Sequence, residues 1–302
     1  MNKEKKVNDV ARDIFRDLGN GGMSCVILHH FDFEEGGDID FFADASKLDL
    51  FLIHLKGAVE RAKWKIVQVF VHERSGAYIV CRDSAGSGRF LFFDCCYDYR
   101  VRGHLILSGS ELGENSHLLS WGGMGSGGLI ELIYRFSKAG AKEKCPKKIT
   151  KELKNLWESH RVPFSEWLWG RWGLKIEAWN EDSISAVLNQ LGNRLAKQKW
   201  SIAELALKLK RLAKPRGLWV ECPGETKSAI EIEIAPCFRK IMDREVSIKL
   251  ILGSSLVLVG EGTTPGWKRK LLKLMGCWLQ ASSGEEVIQF LIARSARYQR
   301  WE

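Results

Sequence analysis

Gly36-Gly37-Asp38-Ile39-Asp40-Phe41-Phe42 constrains this chain more than any other stretch, because it sets two carboxylates two residues apart at the start of an apolar run. Side chains alternate faces along a strand, so Asp38 and Asp40 point one way while Ile39 and Phe41 enter a core. Carboxylates forced side by side repel each other and lose hydration. A divalent cation or a shared proton relieves both effects. Hard oxygen donors select Mg²⁺ (or Mn²⁺) over zinc. A third acid closes another apolar run, Phe90-Leu91-Phe92-Phe93-Asp94, and would complete a metal cradle with the first two.

Around these acids the apolar pattern predicts an α/β, or α+β, layer. Residues 7–18 carry Val7, Val10, Ala11, Ile14, Phe15 and Leu18 at helical spacing, and Gly19-Asn20-Gly21-Gly22 stops the helix. Residues 25–28 read as a short buried strand ending at His29-His30, followed by a loop through Asp32, Glu34 and Glu35. Ser46 and Asp49 form a capping-box pattern ahead of Leu48, Phe51, Leu52, Leu55 and Val59, a helix ending near Trp64. Strands are expected at 66–71, 77–81 and 90–94, the last two joined by a turn at 84–88.

Further on, Trp121-Gly122-Gly123-Met124-Gly125-Ser126-Gly127-Gly128 admits two readings. One is a phosphate-cradling loop before a helix at 129–137. The other is a flexible hinge, which fits better because no Lys-Ser/Thr follows the glycines. Residues 129–212 read as helical throughout, with a capping box at Ser201 and Glu204. Trp157, Trp167, Trp169, Trp172 and Trp179 fall in that block, where they either stack on a base or sugar or, the commoner use, pack helices together. After Pro215 come a strand at 218–222, a helix at 226–239, a strand-like run at 248–259 and two basic helices at 267–278 and 285–300.

At 302 residues the chain exceeds one ordinary core, and its patterns divide it into 1–128, a helical region 129–214 and a small α/β region 215–302. The net charge of +9 is unevenly spread: residues 1–130 hold 15 Lys/Arg against 18 Asp/Glu, and residues 131–302 hold 31 against 19. A basic back half suits phosphate-bearing or acidic partners, or forms solvated helices. The eight cysteines contain no C-x-x-C spacing and read as reduced, mostly buried thiols. Met1-Asn2-Lys3-Glu4-Lys5-Lys6 has no apolar run, and Lys249 interrupts a segment already too short to span a bilayer. A cytoplasmic protein without membrane insertion is expected.

Gly37-Asp38-Ile39-Asp40-Phe41-Phe42, then a helix, a meander and Phe92-Phe93-Asp94, resembles the minimal core of the nucleotidyltransferase superfamily. That core pairs a Gly-x-Asp-hydrophobic-Asp strand with a later single Asp on a neighbouring strand. With Leu28-His29-His30-Phe31-Asp32 ahead of it and the helical block behind, the chain is similar to bacterial proteins found with polysaccharide genes, which join such a core to a thymidylate-kinase-like P-loop domain. The likeness spans roughly residues 7–240 in order of elements.

It implies a nucleotidyltransferase-like mixed sheet with flanking helices, a nucleoside triphosphate as substrate, and two metal ions about 3.5–4 Å apart that bridge the triphosphate and an acceptor hydroxyl. By the same resemblance Asp38 and Asp40 hold the metals, while Asp94 completes one site and assists deprotonation. Arg82, Arg89, Arg100 and Arg102 fall near the ends of the meander strands, where they either neutralise phosphate oxygens or lie along a solvated edge. His29-His30 stands near the place of the Gly-Ser pair that the superfamily usually carries before the acid strand.

Leu218-Trp219-Val220-Glu221-Cys222-Pro223-Gly224-Glu225-Thr226-Lys227-Ser228 is similar to the strand-loop-helix that opens the kinase domain of those proteins. Lys227 and Ser228 keep the end of the G-x-x-x-x-G-K-[ST] pattern and are candidate nucleotide contacts. Cys222 and Thr226 replace its glycines, and the loop is one residue short of encircling a phosphate. A degenerate, truncated P-loop-like remnant is expected, whose basic residues Lys268, Arg269, Lys270, Lys273, Arg294, Arg297 and Arg300 suit packing or an acidic partner.

The expected activity is Mg²⁺-dependent transfer of a nucleoside monophosphate to a hydroxyl of a small molecule, sugar or protein. The alternative is an inactive nucleotidyltransferase fold that binds nucleic acid or protein through its basic half. A small-molecule kinase acting through Lys227 is the third.

Overall fold

The computed structural model describes residues 6–29, 38–44, 48–73, 75–85, 88–142, 146–197, 218–237, 240–242, 255–275 and 277–298. The chain divides into two units, one comprising Asn8–Phe51 and Asp94–Ser201, the other Met1–Val7, Leu52–Phe93 and Ile202–Glu302. The described strands include a seven-stranded mixed sheet, and the division between the units falls within one of its strands, β5 (Phe90–Cys96).

In the first of these units α1 (Val7–Asn20) buries Val10, Ala11, Ile14, Phe15 and Leu18, the stripe that helical periodicity predicts. β1 (Cys25–Ile27) pairs antiparallel with β2 (Asp38–Ala43), with Ile27 opposite Phe41, and parallel with β9 (Met124–Ser126). β9 in turn pairs antiparallel with β8 (Ser116–Leu118), giving the order β5-β2-β1-β9-β8. The passage expected as a hinge therefore contains a sheet strand. Its glycines serve close approach: a Cβ on Gly127 would sit 3.0 Å from the Asn115 carbonyl oxygen, and one on Gly128 2.5 Å from His160 Nε2.

β6 (Tyr99–Val101) and β7 (His104–Leu107) form a hairpin whose turn residues Arg102 and Gly103 have φ of 50° and 83°. Two positive φ values match the right-handed twist of paired strands. A capping box at Ser108 and Glu111 then opens α3 (Gly109–Glu114). The helical block resolves into α4 (Gly128–Ala141), α5 (Pro146–Glu152), α6 (Lys154–Trp172) and α7 (Glu181–Ala196). Trp157 and Trp172 are buried in one core with Phe42, Phe136, Phe164 and Leu191, while Trp167 and Trp179 pack at its margin and Trp169 is exposed. Most of these rings thus join helices, the commoner of the two uses.

The second unit contains α2 from Leu52 onward (Leu48–Arg61), β3 (Trp64–Glu73), β4 (Gly76–Asp83) and a separate sheet near the C-terminus. That sheet is parallel, in the order β11-β12-β10-β13, from β10 (Leu218–Cys222), β11 (Lys240–Met242), β12 (Ser255–Gly260) and β13 (Trp278–Gln280). Leu218, Val220 and Cys222 face a core with Ile230 and Ile234 of α8 (Lys227–Ile234), Val287, Ile288 and Leu291 of α10 (Gly284–Tyr298), and Val67, Phe70 and Val80 of the meander. Trp219 faces the opposite core with Val257, Val259 and Leu272 of α9 (Gly266–Leu274). A parallel strand covered on both faces is apolar nearly throughout, and in β10 the one exception is Glu221, itself buried.

Several boundaries differ from expectation. Trp64 begins β3 and does not end α2; Trp278 begins β13, pairing opposite Trp219, while α9 stops at Leu274. Pro236 lacks an N–H to continue α8, and a 3₁₀ turn at Ala235–Cys237 follows. Gly36, Gly37, His30, Ser46, Ser201 and residues 248–254 lie outside the described residues. Among the described residues, no helix is long and apolar enough to cross a membrane. Of the seven described cysteines, all without disulfides, six are buried. Burial pushes the Cys25 and Cys237 thiols up to about 12.

α4 and α7 cross on glycine: a Cβ on Gly192 would lie 2.9 Å from the Gly140 carbonyl oxygen, which is backbone and has no rotamer to yield. Gly192→Leu is expected to cost about 1–3 kcal/mol through overpacking. Gly170→Ala, in open space on α6, is expected to gain up to about 1 kcal/mol from helix propensity. Thermal or denaturant unfolding of the two variants measures the contrast.

Candidate metal site

β2 delivers the two motif acids by its alternation. Phe41 is fully buried, edge-on to Phe15 at 5.0 Å and tilted against Phe51 at 5.6 Å. Asp38, Asp40 and Phe42 occupy the other face, and Phe42 anchors it in the helical core. Pairing with β1 fixes the register, and the Leu28 N–H donates to the Asp40 carbonyl at 2.9 Å. On β5, Leu91, Phe93 and Cys95 are buried while Phe90, Phe92, Asp94 and Cys96 are partly exposed, so Asp94 too is set by strand period. β5 neighbours β2.

The structure brings the three acids together. Asp38, Asp40 and Asp94 each offer a carboxylate oxygen, and these oxygens lie within 4.8 Å of one another. Asp38 is exposed, Asp94 partly exposed and Asp40 buried, so the cluster grades from solvent to interior along one face. Three carboxylates form an all-oxygen donor set that fits Mg²⁺ or Mn²⁺.

Two residues of α4 and one at the end of β1 complete the surroundings, and the sequence pattern singled out none of them as partners of Asp40. Lys138 Nζ donates to Asp40 Oδ2 at 2.7 Å and to Tyr134 Oη at 2.7 Å. Tyr134 and Lys138 are four residues apart and share a helix face. His29 Nε2 lies 3.4 Å from the same Asp40 Oδ2, and its ring is edge-on to Tyr134 at 5.2 Å. The Tyr134 phenol is held well above its ordinary range, first by burial, then by the charge of Asp40, with Tyr99, Asp94 and a hydrogen bond to Asp40 adding to it. It therefore stays protonated at neutral pH, and its oxygen accepts from Lys138. The only sequence trace of this triangle is the i, i+4 spacing of an aromatic and a lysine.

Three of the expected phosphate contacts, Arg82, Arg89 and Arg100, have carboxylate partners of their own. Arg82, nearly buried, pairs with Glu285 at 2.5 Å and Glu233 at 3.5 Å. Arg89 pairs with Asp83 at 2.6 Å, and Arg100 with Asp98 at 3.1 Å. Lys227 and Ser228 open α8, whose preceding turn is closed by Thr226 N–H and Oγ1 donating to the Pro223 carbonyl at 3.1 and 3.0 Å. The Cys222 thiol donates to the Val259 carbonyl at 3.7 Å.

No protein-family model matches the chain, and no curated protein matches it. A solved crystal structure of a "putative nucleotidyltransferase from H. pylori" aligns over 64% of this chain and 96% of its own, at 10% identity and a TM-score of 0.28. A similarity that low carries no weight for fold or chemistry, which rest on the strands and acids themselves.

Asp40 and Asp38 should respond oppositely to neutralisation. Asp40→Asn removes the charge that answers Lys138 in a buried setting and is expected to cost about 1–3 kcal/mol. Asp38→Asn relieves like-charge repulsion at an exposed position and is expected to leave stability within about 0.5 kcal/mol or raise it. Unfolding curves at neutral pH without divalent ions decide both.

Proposed function

We propose that the chain is a Mg²⁺- or Mn²⁺-dependent nucleotidyltransferase that moves a nucleoside monophosphate from a triphosphate to a hydroxyl acceptor. The observation that carries this is the meeting of Asp38, Asp40 and Asp94 within 4.8 Å from two strands far apart in sequence. A divalent ion held by these carboxylates would supply positive charge to triphosphate oxygens and acidify a bound hydroxyl. Asp38 and Asp40 would hold the ion, and partly exposed Asp94 would complete its site and assist deprotonation of the acceptor. Lys138 and Tyr134 fix the carboxylate of Asp40, so its orientation is set before substrate arrives.

Arg82 and Arg89 belong to the proposal only if phosphate displaces Glu285, Glu233 and Asp83 from them. Lys227 and Ser228 would add a phosphate contact at the start of α8, from side chains alone, since the turn before them is closed on itself. A soluble cytoplasmic setting with a small-molecule, sugar or protein acceptor completes the reading.

One observation favours a second reading, that of an inactive binding module. Lys138 already places a positive charge on Asp40, as a residue replacing a lost ion would. Such a module would bind nucleic acid or an acidic protein through its basic back half, with affinity falling steeply as salt rises.

The two readings separate on α-labelled ATP, GTP, CTP and UTP incubated with protein and Mg²⁺ or Mn²⁺. The enzyme reading expects label transfer or pyrophosphate release, reduced about 100-fold or more in the Asp38→Asn/Asp40→Asn variant, as expected when several kcal/mol of charge stabilisation is lost. No turnover with any triphosphate, or equal turnover by the double variant, would contradict it.

A further inference from the structure

We propose that the ammonium of Lys138 is a resident cation of the acid cradle, so that the site takes one divalent ion per chain and not two. The inference rests on the metal reading above and concerns what Lys138 does to it. Two-ion sites hold their ions about 3.5–4 Å apart and need a carboxylate that lends an oxygen to each. Asp40 is the buried member of the three, Asp38 being exposed and Asp94 partly exposed, and we take it as the carboxylate that a pair of ions would have to share. One of its two oxygens is already taken. Oδ2 accepts from Lys138 Nζ at 2.7 Å and lies 3.4 Å from His29 Nε2.

Lys138 is also held from behind. Tyr134 Oη accepts a second bond from the same ammonium at 2.7 Å, and the nitrogen lies 5.1 Å from the centre of the Tyr134 ring. With a fifth of its side chain exposed, Lys138 is neither a solvated surface lysine nor free to swing away without leaving the buried charge of Asp40 unanswered. A second divalent ion on Oδ2 would share one oxygen with a fixed positive charge. Asp38, Asp94 and the part of the Asp40 carboxylate that Lys138 does not hold remain for one ion. Lys138 is therefore a positioning residue: it neutralises the inner side of the cradle and turns Asp40 toward the outer side.

The test counts ions on the intact chain, with Mn²⁺ as the probe. Free Mn²⁺ is followed by electron paramagnetic resonance during titration, and bound metal is quantified after equilibrium dialysis. Wild-type protein is expected to bind one Mn²⁺, and Lys138→Arg, which keeps a cation there, also one. Lys138→Met is expected to bind two, with the spin-coupled signal of a close Mn²⁺ pair. Two ions on wild type, or one on a folded Lys138→Met, would overturn the role of Lys138 while leaving the metal reading in place. No ion on folded wild type would overturn the metal reading itself. Should Lys138→Met fail to fold, wild type and Lys138→Arg still decide, since two ions on either is incompatible with a resident ammonium.

Discussion

Three carboxylates held within 4.8 Å of one another repel by about 3 kcal/mol per pair at an effective dielectric near 20, before water around exposed Asp38 reduces it. No chain gathers them without something to set against that energy. Here β-pairing does the gathering, because the register of β1 against β2 and the burial of Phe41 and Phe93 leave Asp38, Asp40 and Asp94 no other face. Lys138 and Tyr134 supply the offset at the buried end, where repulsion and desolvation are largest. At the exposed end water screens Asp38, and the proposed divalent ion would offset what repulsion is left.

The site thus depends on α4 as much as on the strands. α4 begins at glycines that allow close approach to Asn115 and His160, and it crosses α7 on Gly140 and Gly192. Those contacts set the depth at which the helix lies, and so the reach of Lys138 to Asp40. The other unit has its own logic. Its parallel sheet is covered on both faces, and two of its buried polar residues are answered internally: Glu221 accepts from the Thr264 N–H at 3.1 Å and pairs with Arg269 at 3.2 Å, while Gln68 accepts from Arg294 at 3.2 Å. Arg269 and Arg294, which looked available in the sequence, are engaged in these contacts.

The acids were legible because a two-residue period and a strand-terminal position are local signals. The α/β class, α1, the core of the meander and the strand at 218–222 followed from apolar periodicity in the same way. What was not legible is instructive. Lys138 meets Asp40 across 98 positions, and within a helical stretch its pattern is that of any solvated lysine. β9, as Met-Gly-Ser, has no β-branched residue, and its glycines read as a hinge although packing requires them. The β6–β7 turn uses Arg102 at positive φ where Asn would have announced a hairpin. β11 and β13 are three residues long, too short to show alternation.

The most direct measurement is anomalous diffraction from crystals soaked with Mn²⁺ and a non-hydrolysable nucleoside triphosphate. A metal-dependent site at these acids predicts Mn²⁺ density within about 2.2 Å of carboxylate oxygens from Asp38, Asp40 and Asp94, with triphosphate oxygens on the same ion. Density absent from those acids while the nucleotide binds at the start of α8, or nowhere, would contradict it.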